Sequence, residues 1–308
     1  MRAFIFPGQG SQSVGMGAAL ADASRAAKDV FAEVDEALGQ NLFRLMRDGP
    51  DDELKLTENA QTAIMAHSIA VLRTMGVRLA DVASFVAGHS LGEYSALCAA
   101  GSFDLATTAK LLKLRGQAMQ QAVPVGEGAM AALLGADLTL AQKIADAAAQ
   151  GDVCTVANDN DPSQVVISGS KSAIDRAIEM AKDMGAKRAV PLPVSAPFHC
   201  PLMQPAAEAM RDALSYVVVA EPAAPVFANV TAQPETDADT IRNQLVEQVT
   251  GMVRWRESVS NMFDAGVHEF VEIGGKVLGS MVKRIAPDAT VTSVVTIEDI
   301  EAAAKEIA

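Results

Sequence analysis

The pentapeptide Gly88-His89-Ser90-Leu91-Gly92 sets a hydroxyl between two glycines, directly after the apolar run SFVAG. This is a G-x-S-x-G pattern, in which a strand turns sharply into a helix and leaves the serine Oγ standing at the strand's end. The glycines permit the turn without a Cβ clash. The helix beyond it begins with N–H groups that have no intrahelical partner, so the Leu91 amide can stabilise an oxyanion. The implied chemistry is nucleophilic acyl transfer through a serine ester, given a base. The same five residues also occur in glycine-rich turns with no chemical role.

Four histidines are available as the base. His67 lies within an apolar helical stretch (AIMAHSIAVL) and reads as a core residue. His89 adjoins the serine across a sharp turn, where neighbours point apart, and reads as structural. His268 enters a strand and reads as an edge or surface residue. His199 sits in the proline-punctuated loop PVSAPFHCPLM, where one folded unit hands back to another, and such inter-domain clefts favour active sites. His199 is the candidate base. No Asp or Glu stands out as its orienting partner, and a backbone carbonyl suffices to fix the imidazole tautomer.

A third feature is a charge in an apolar place. On a helix over about 104–121, Lys110, Lys113, Gln117, Gln120 and Gln121 share one arc, and Leu105, Leu111, Leu112 and Met119 the opposite one. Arg115 falls in the apolar arc. Either its stem packs while its head reaches water, or its guanidinium grips a carboxylate with two parallel N–H···O bonds.

The elements that must position these groups follow an α/β pattern. The chain has 308 residues, 50% apolar and only 4% aromatic, which suits helices layered on a sheet. RAFIF reads as a buried strand, 17–47 and 58–75 as helical, 84–88 as a strand, and 93–100 and 104–121 as helices. From 129 to 194 the order is strand, helix, strand, turn (159–163), strand, helix, strand, the β-α-β-β-α-β arrangement of ferredoxin-like units. Proline- and glycine-rich edges bracket it. The expected organisation is therefore a small domain over 126–194 inserted into a larger one made of 1–125 and 195–308. Further helices are expected near 201–214, 237–249 and 254–265, strands at 225–230 and 269–274, and a helix at the C-terminus.

The formal net charge of −13 argues against nucleic acid, whose binding rests on Lys and Arg neutralising phosphates. No run approaches the ~18 apolar residues of a membrane helix. The N-terminus lacks a signal-peptide pattern. The three cysteines show neither a disulfide framework nor metal-ligand spacing, so no metal is expected and the compartment is read as the cytoplasm.

Seven segments, FPGQGSQ (6–12), TENAQTAI (57–64), GHSLGEYSAL (88–97), LKLRGQAMQ (112–120), VANDNDPSQVVISG (156–169), SAPFHCPLM (195–203) and VEIGGKVLG (271–279), together resemble the malonyl-CoA:acyl carrier protein transacylases of fatty-acid synthesis. The resemblance spans nearly the whole chain. It implies an α/β-hydrolase-like large domain with a ferredoxin-like insert. It implies Ser90 as nucleophile, His199 as base, and the Gln248 main-chain carbonyl as the acceptor that orients His199. Gln9 and Leu91 would give the oxyanion-hole amides. Arg115 would hold the malonyl carboxylate, with Gln61, Met119 and Phe198 at the acyl pocket, Phe198 being the version associated with malonyl rather than methylmalonyl. The implied partners are malonyl-CoA and an acidic acyl carrier protein, with a monomeric enzyme and no cofactor, since thioester exchange is nearly thermoneutral. Lys187, Arg188, Arg254, Arg256, Lys283 and Arg284 are candidates for a basic docking patch.

Ser163, Gly251-Met252 and Gly275 depart from the pattern, all in expected turns. Three other readings share parts of these signals. A serine hydrolase or thioesterase would show a Ser…Asp…His order and give Arg115 no role. A non-catalytic scaffold would need none of the three groups together. A polyketide-type acyltransferase module would share the motifs.

Overall fold

The computed structural model describes residues 1–194 and 196–307. Ser195, where SAPFHCPLM and the expected return to the large domain begin, and Ala308, the last residue of that domain, lie outside the described residues. The strands are β1 (Arg2–Phe6), β2 (Phe85–Gly88), β3 (Gly128–Leu134), β4 (Cys154–Asp161), β5 (Gln164–Ser170), β6 (Arg188–Pro191), β7 (Val226–Phe227), β8 (Pro234–Glu235), β9 (Glu269–Ile273) and β10 (Thr290–Val294). They form two sheets in a mixed α/β architecture, one in the order β10-β9-β1-β2-β7-β8 and the other β4-β5-β3-β6.

The large sheet is parallel from β10 to β7, with β8 antiparallel at its edge. Strands buried on both faces read as continuous apolar runs, which is why RAFIF and FVAG stand at its centre. Alternation then sorts the side chains. Phe4, Phe6, Val86, Val226, Val271 and Ile273 enter one core, packed under the helices Thr57–Met75 and Leu105–Gln121. Ala3, Ile5, Ala87, Phe227 and Phe270 enter the other, under Trp255–Asp264 and Leu278–Ile285. Each fully buried Phe contributes about 1.5–3 kcal/mol.

The second sheet is antiparallel throughout. Its elements come in the expected β-α-β-β-α-β order, with Leu138–Ala149 and Lys171–Ala181 as the helices. One face packs on those helices through Leu133, Val165 and Ile167. Met130, Ala132 and Val166 on the other face join the core of the large sheet.

Several local expectations are corrected. The pattern over 17–47 is three helices, Ala18–Ala23, Arg25–Leu38 and Leu42–Asp48. Ser24 and Asn41 accept the amides that start the second and third, and Gly39 ends the second in the left-handed region. The expected turn at 159–163 is shorter, because β4 continues through Asp161. Strand 187–194 contracts to β6, and 225–230 to β7. The helix Leu278–Ile285 and the strands β8 and β10 are additional. Glu272 explains that helix: buried on β9, it accepts the amides of Val277, Leu278 and Gly279 at the helix's positive end.

Candidate active site

Ser90 lies at the carboxyl end of β2, and Gln9 follows the carboxyl end of the adjacent β1. The crevice outside such strand ends is where open α/β sheets bind ligands. Here it is a cleft of about 470 Å³ lined by Gln9, Gln61, Ser90, Leu91, Arg115, Met119, Phe198 and His199, and from the second sheet by Met130 and Asn158. The sequence-derived site residues thus converge. Gln248 stands behind the cleft, bonded to those that line it.

The elbow is held under strain. Ser90 has φ 54° and ψ −111°, outside the regions an L-residue prefers. The glycines are steric necessities, since a Cβ on Gly88 would collide with the Gly92 backbone and one on Gly92 with the Phe6 carbonyl. Asn229, just after β7, clamps the turn: its Oδ1 accepts the Ser90 amide (2.8 Å) and its Nδ2 donates to the Gly88 carbonyl (2.7 Å). Leu91, the first residue of the helix Leu91–Ala99, is left with an amide that has no intrahelical acceptor.

His199 meets this hydroxyl directly, with Nε2 2.7 Å from Ser90 Oγ. Its Nδ1 is 2.8 Å from the Gln248 carbonyl and 3.1 Å from that of Gly251. Both carbonyls lie at the C-terminus of the helix Ala238–Thr250, where oxygens lack intrahelical donors and the dipole is negative. Nδ1 therefore carries the proton and Nε2 is free to accept one from serine. Burial, then the positive charge of Arg115, pushes the His199 pKa down to about 3, so the imidazole is neutral at rest.

Arg115 is 1% exposed, which excludes the snorkelling reading. Gly116 lets its helix approach closely, because a Cβ there would meet the Glu58 backbone of the helix Thr57–Met75. One Arg115 terminal nitrogen donates to Gln61 Oε1 (2.7 Å), the other to Gln248 Oε1 (2.9 Å) and Ser90 Oγ (3.2 Å). Its Nε has no partner. Among the described residues no carboxylate reaches salt-bridge distance of it. A buried cation whose hydrogen-bond acceptors are all neutral oxygens has its charge uncompensated and its guanidinium able to pair with an anion.

The remaining histidines fall where their sequence contexts suggest. His89 turns from Ser90 to Asn160 Oδ1 (2.8 Å), His268 stacks edge-on against Phe263, and His67 is buried. Of the six candidate docking cations, Arg256 and Arg284 are tied to Asp159 and Asp161, Arg254 to Glu257, and Lys283 to the Ala289 carbonyl. Lys187 and Arg188 are exposed. The sequence reading missed Asn229, Asn160 and Glu93. A signal was available for Asn229, a polar residue in the apolar, strand-forming stretch PVFANV, since such residues need a stated partner; Asn160 lies in DNDPS, which reads as a turn, and Glu93 in an ordinary first helical turn.

The acyl transferase domain family model matches residues 3–290. The malonyl CoA-acyl carrier protein transacylase of Escherichia coli (strain K12) is 44% identical over 292 residues, 94% of each chain. The solved acyl-carrier-protein-S-malonyltransferase of Bartonella henselae superposes with a TM-score of 0.97 at 51% identity, covering 99% of both chains. A malonyl-transacylase solved in complex with its type II PKS acyl-carrier protein superposes with a TM-score of 0.96 at 41% identity, again over 99% of both.

Proposed function

Because the chain belongs to the acyl transferase family, among the malonyl CoA-acyl carrier protein transacylases, we propose that it moves malonyl from malonyl-CoA to the phosphopantetheine thiol of an acyl carrier protein in fatty-acid biosynthesis. One observation carries the reading: Ser90 Oγ stands 2.7 Å from His199 Nε2 and 3.2 Å from the buried guanidinium of Arg115.

In this reading Ser90 Oγ attacks the thioester carbonyl as His199 Nε2 takes its proton. The amides of Gln9 and Leu91 receive the oxyanion. Collapse of the tetrahedral intermediate breaks the C–S bond, His199 protonates the departing CoA sulfur, and malonyl stays on Ser90 as an ester. The carrier thiol repeats the steps in reverse order, giving ping-pong kinetics. The Gln248 carbonyl keeps His199 in its working tautomer, and Gln61, Met119 and Phe198 bound the acyl pocket.

Arg115 does more than select. Its field is second only to burial in depressing the His199 pKa. A malonyl carboxylate on the guanidinium offsets that field, so the base strengthens when the fitting acyl group is in place.

The finer organisation belongs to the same proposal: an α/β-hydrolase-like large domain over 1–125 and 195–308, a ferredoxin-like insert over 126–194, and a cleft between them. The enzyme acts as a monomer in the cytoplasm. Its three free thiols suit a reducing compartment. Among the described residues, no helix is long and apolar enough to cross a membrane.

Intact-protein mass spectrometry tests the reading. Brief exposure to malonyl-CoA should add one malonyl group to the parent and none to Ser90→Ala. An adduct persisting on Ser90→Ala would remove the nucleophile assignment, and free malonate with no adduct would favour a hydrolase.

A further inference from the structure

Glu93 occupies the first turn of the helix that follows the nucleophile, and it is 2% exposed. A buried carboxylate is costly unless hydrogen bonds hold it. Its Oε2 accepts from two donors, Gln248 Nε2 at 2.7 Å and the Asn229 amide at 3.1 Å. These donors belong to the residues that organise the site. Asn229 clamps the elbow on both sides of His89. Gln248 gives its main-chain oxygen to His199 and its side-chain oxygen to Arg115.

The side chain of Gln248 can be read either way round, because rotating its amide by a half-turn exchanges oxygen for NH2. In one orientation it offers Arg115 an acceptor. In the other it would set donor against donor beside a buried cation. A carboxylate accepts only, and Glu93 is placed so that Nε2 must face it. The Ser90 carbonyl, 3.0 Å from the same Nε2, adds a second acceptor on that side.

Resting on the malonyl-transfer reading of this site, we propose that Glu93 is a positioning residue for acyl-group selection. It fixes the amide of Gln248 so that Gln248 Oε1 aims Arg115 at the space beside Ser90, where the acyl carboxylate must sit. Glu93 touches neither substrate nor the reacting atoms; it acts through Gln248. Burial pushes its pKa up to about 7, but either protonation state leaves an oxygen able to accept from Gln248.

The test separates carboxylate recognition from the hydroxyl–imidazole pair. Steady-state kinetics with malonyl-CoA report the first, and inactivation by a neutral fluorophosphonate, which labels the activated serine, reports the second. Glu93→Ala should raise the KM for malonyl-CoA about tenfold, the worth of one hydrogen bond to a charged group. Fluorophosphonate labelling should slow by less than about threefold. Glu93→Gln, which keeps an acceptor oxygen, should recover most of the KM change.

A parallel loss of both readouts in Glu93→Ala would make the residue merely structural and overturn the proposal. An unmoved KM would overturn it too, as would Glu93→Gln behaving like Glu93→Ala. Where Glu93→Ala lacks a cooperative thermal melt, Glu93→Asp, which withdraws the oxygen by one methylene, is read in its place against the same outcomes. A parent that labels with the fluorophosphonate yet forms no malonyl-serine would instead remove the malonyl reading itself.

Discussion

The molecule buries charge beside a guanidinium in two places, and it treats them oppositely. Where the small sheet meets the large one, Asp159 and Asp161 on β4 are 1% and 0% exposed in their side chains. Arg256 and Arg284, from the helices on the far face of the large sheet, close on them at 2.8 Å while staying one-third to one-half exposed. In the cleft the burial is reversed: the cation is inside, its hydrogen-bond acceptors among the described residues are amide and hydroxyl oxygens, and its guanidinium lies over the Tyr94 ring. A completed pair leaves nothing for a ligand to do and serves as a clasp between sheets. A cation left without its anion is costly, and the cost is recovered only when a ligand supplies the missing charge. Structure and function thus separate by whether the counter-charge is built in.

Removing the open cation should have the largest effect. Arg115→Ala takes away both N–H groups available to a malonyl carboxylate in a dry site, and kcat/KM for malonyl-CoA should fall about 10³-fold, equivalent to about 4 kcal/mol. Relief of its field on His199 leaves Ser90 competent toward neutral donors, so acetyl-CoA should become a comparable substrate. An unchanged malonyl-to-acetyl ratio in competition assays would place Arg115 with the structural cations.

Removing a closed cation should act on stability and spare selectivity. Arg284→Ala strands a fully buried carboxylate, and the loss should be about 2–3 kcal/mol, below the 3–5 typical of broken buried pairs because Arg284 is half-exposed. Asp161→Asn should cost less, since Asn keeps the acceptor used by Ser163 and the freed guanidinium reaches water. Urea titration reads both, and the malonyl-to-acetyl ratio of the folded fraction should stay at the parental value. A larger loss in Asp161→Asn than in Arg284→Ala would reverse the assignment of which partner bears the desolvation.

These two pairings were unequally legible in sequence. Arg115 was visible because a 3.6-residue period defines a face and a charge breaks it. The clasp was hidden because DNDPS reads as a turn by composition; in the fold β4 stays paired with β5 through Asp161, and Arg256 and Arg284, from helices packed on the large sheet, meet the buried Asp159 and Asp161. The nucleophile elbow was legible for a local reason, that glycine is required on both sides of a strained serine. Glu93 was not, although it lies three residues from Ser90, because a Glu in the first turn of a helix is ordinary until its burial is known. The acceptor for His199 was the hardest to see. It is a backbone oxygen, and no side-chain type announces one; only the resemblance to the transacylases pointed to Gln248. The break-up of 17–47 and the helix Leu278–Ile285 were missed for a related reason. Their boundaries are set by caps, one of them supplied by Glu272 from the preceding strand, five residues before the first amide it accepts.

A third way to bury an ionisable group is to keep it neutral, as His67 does, and near neutral pH its effect on stability is the smallest of the three. Burial alone pushes its pKa down to about 4, and its Nδ1 has no partner. In the unfolded chain a histidine titrates near 6.5, so between about pH 6.5 and 4 the unfolded state holds the extra proton. A depressed folded-state pKa contributes stability that is present above 6.5 and is lost as pH falls toward the folded value. Each such proton gives a slope of about 1.4 kcal/mol per pH unit. Glu93 runs the other way: with its pKa raised to about 7, its contribution is full below about 4.5 and fades as pH rises through 7. The parental stability curve in this window is therefore a sum of opposed slopes, and the difference between parent and His67→Leu isolates one of them. Leu fills the site without orphaning a hydrogen bond, so the two urea midpoints should coincide above pH 7 and diverge below 6.5, with His67→Leu the more stable in acid. Midpoints that track each other down to pH 4 would mean that His67 gains its proton without unfolding the chain, and that this buried site, like Arg115, can bear a charge after all.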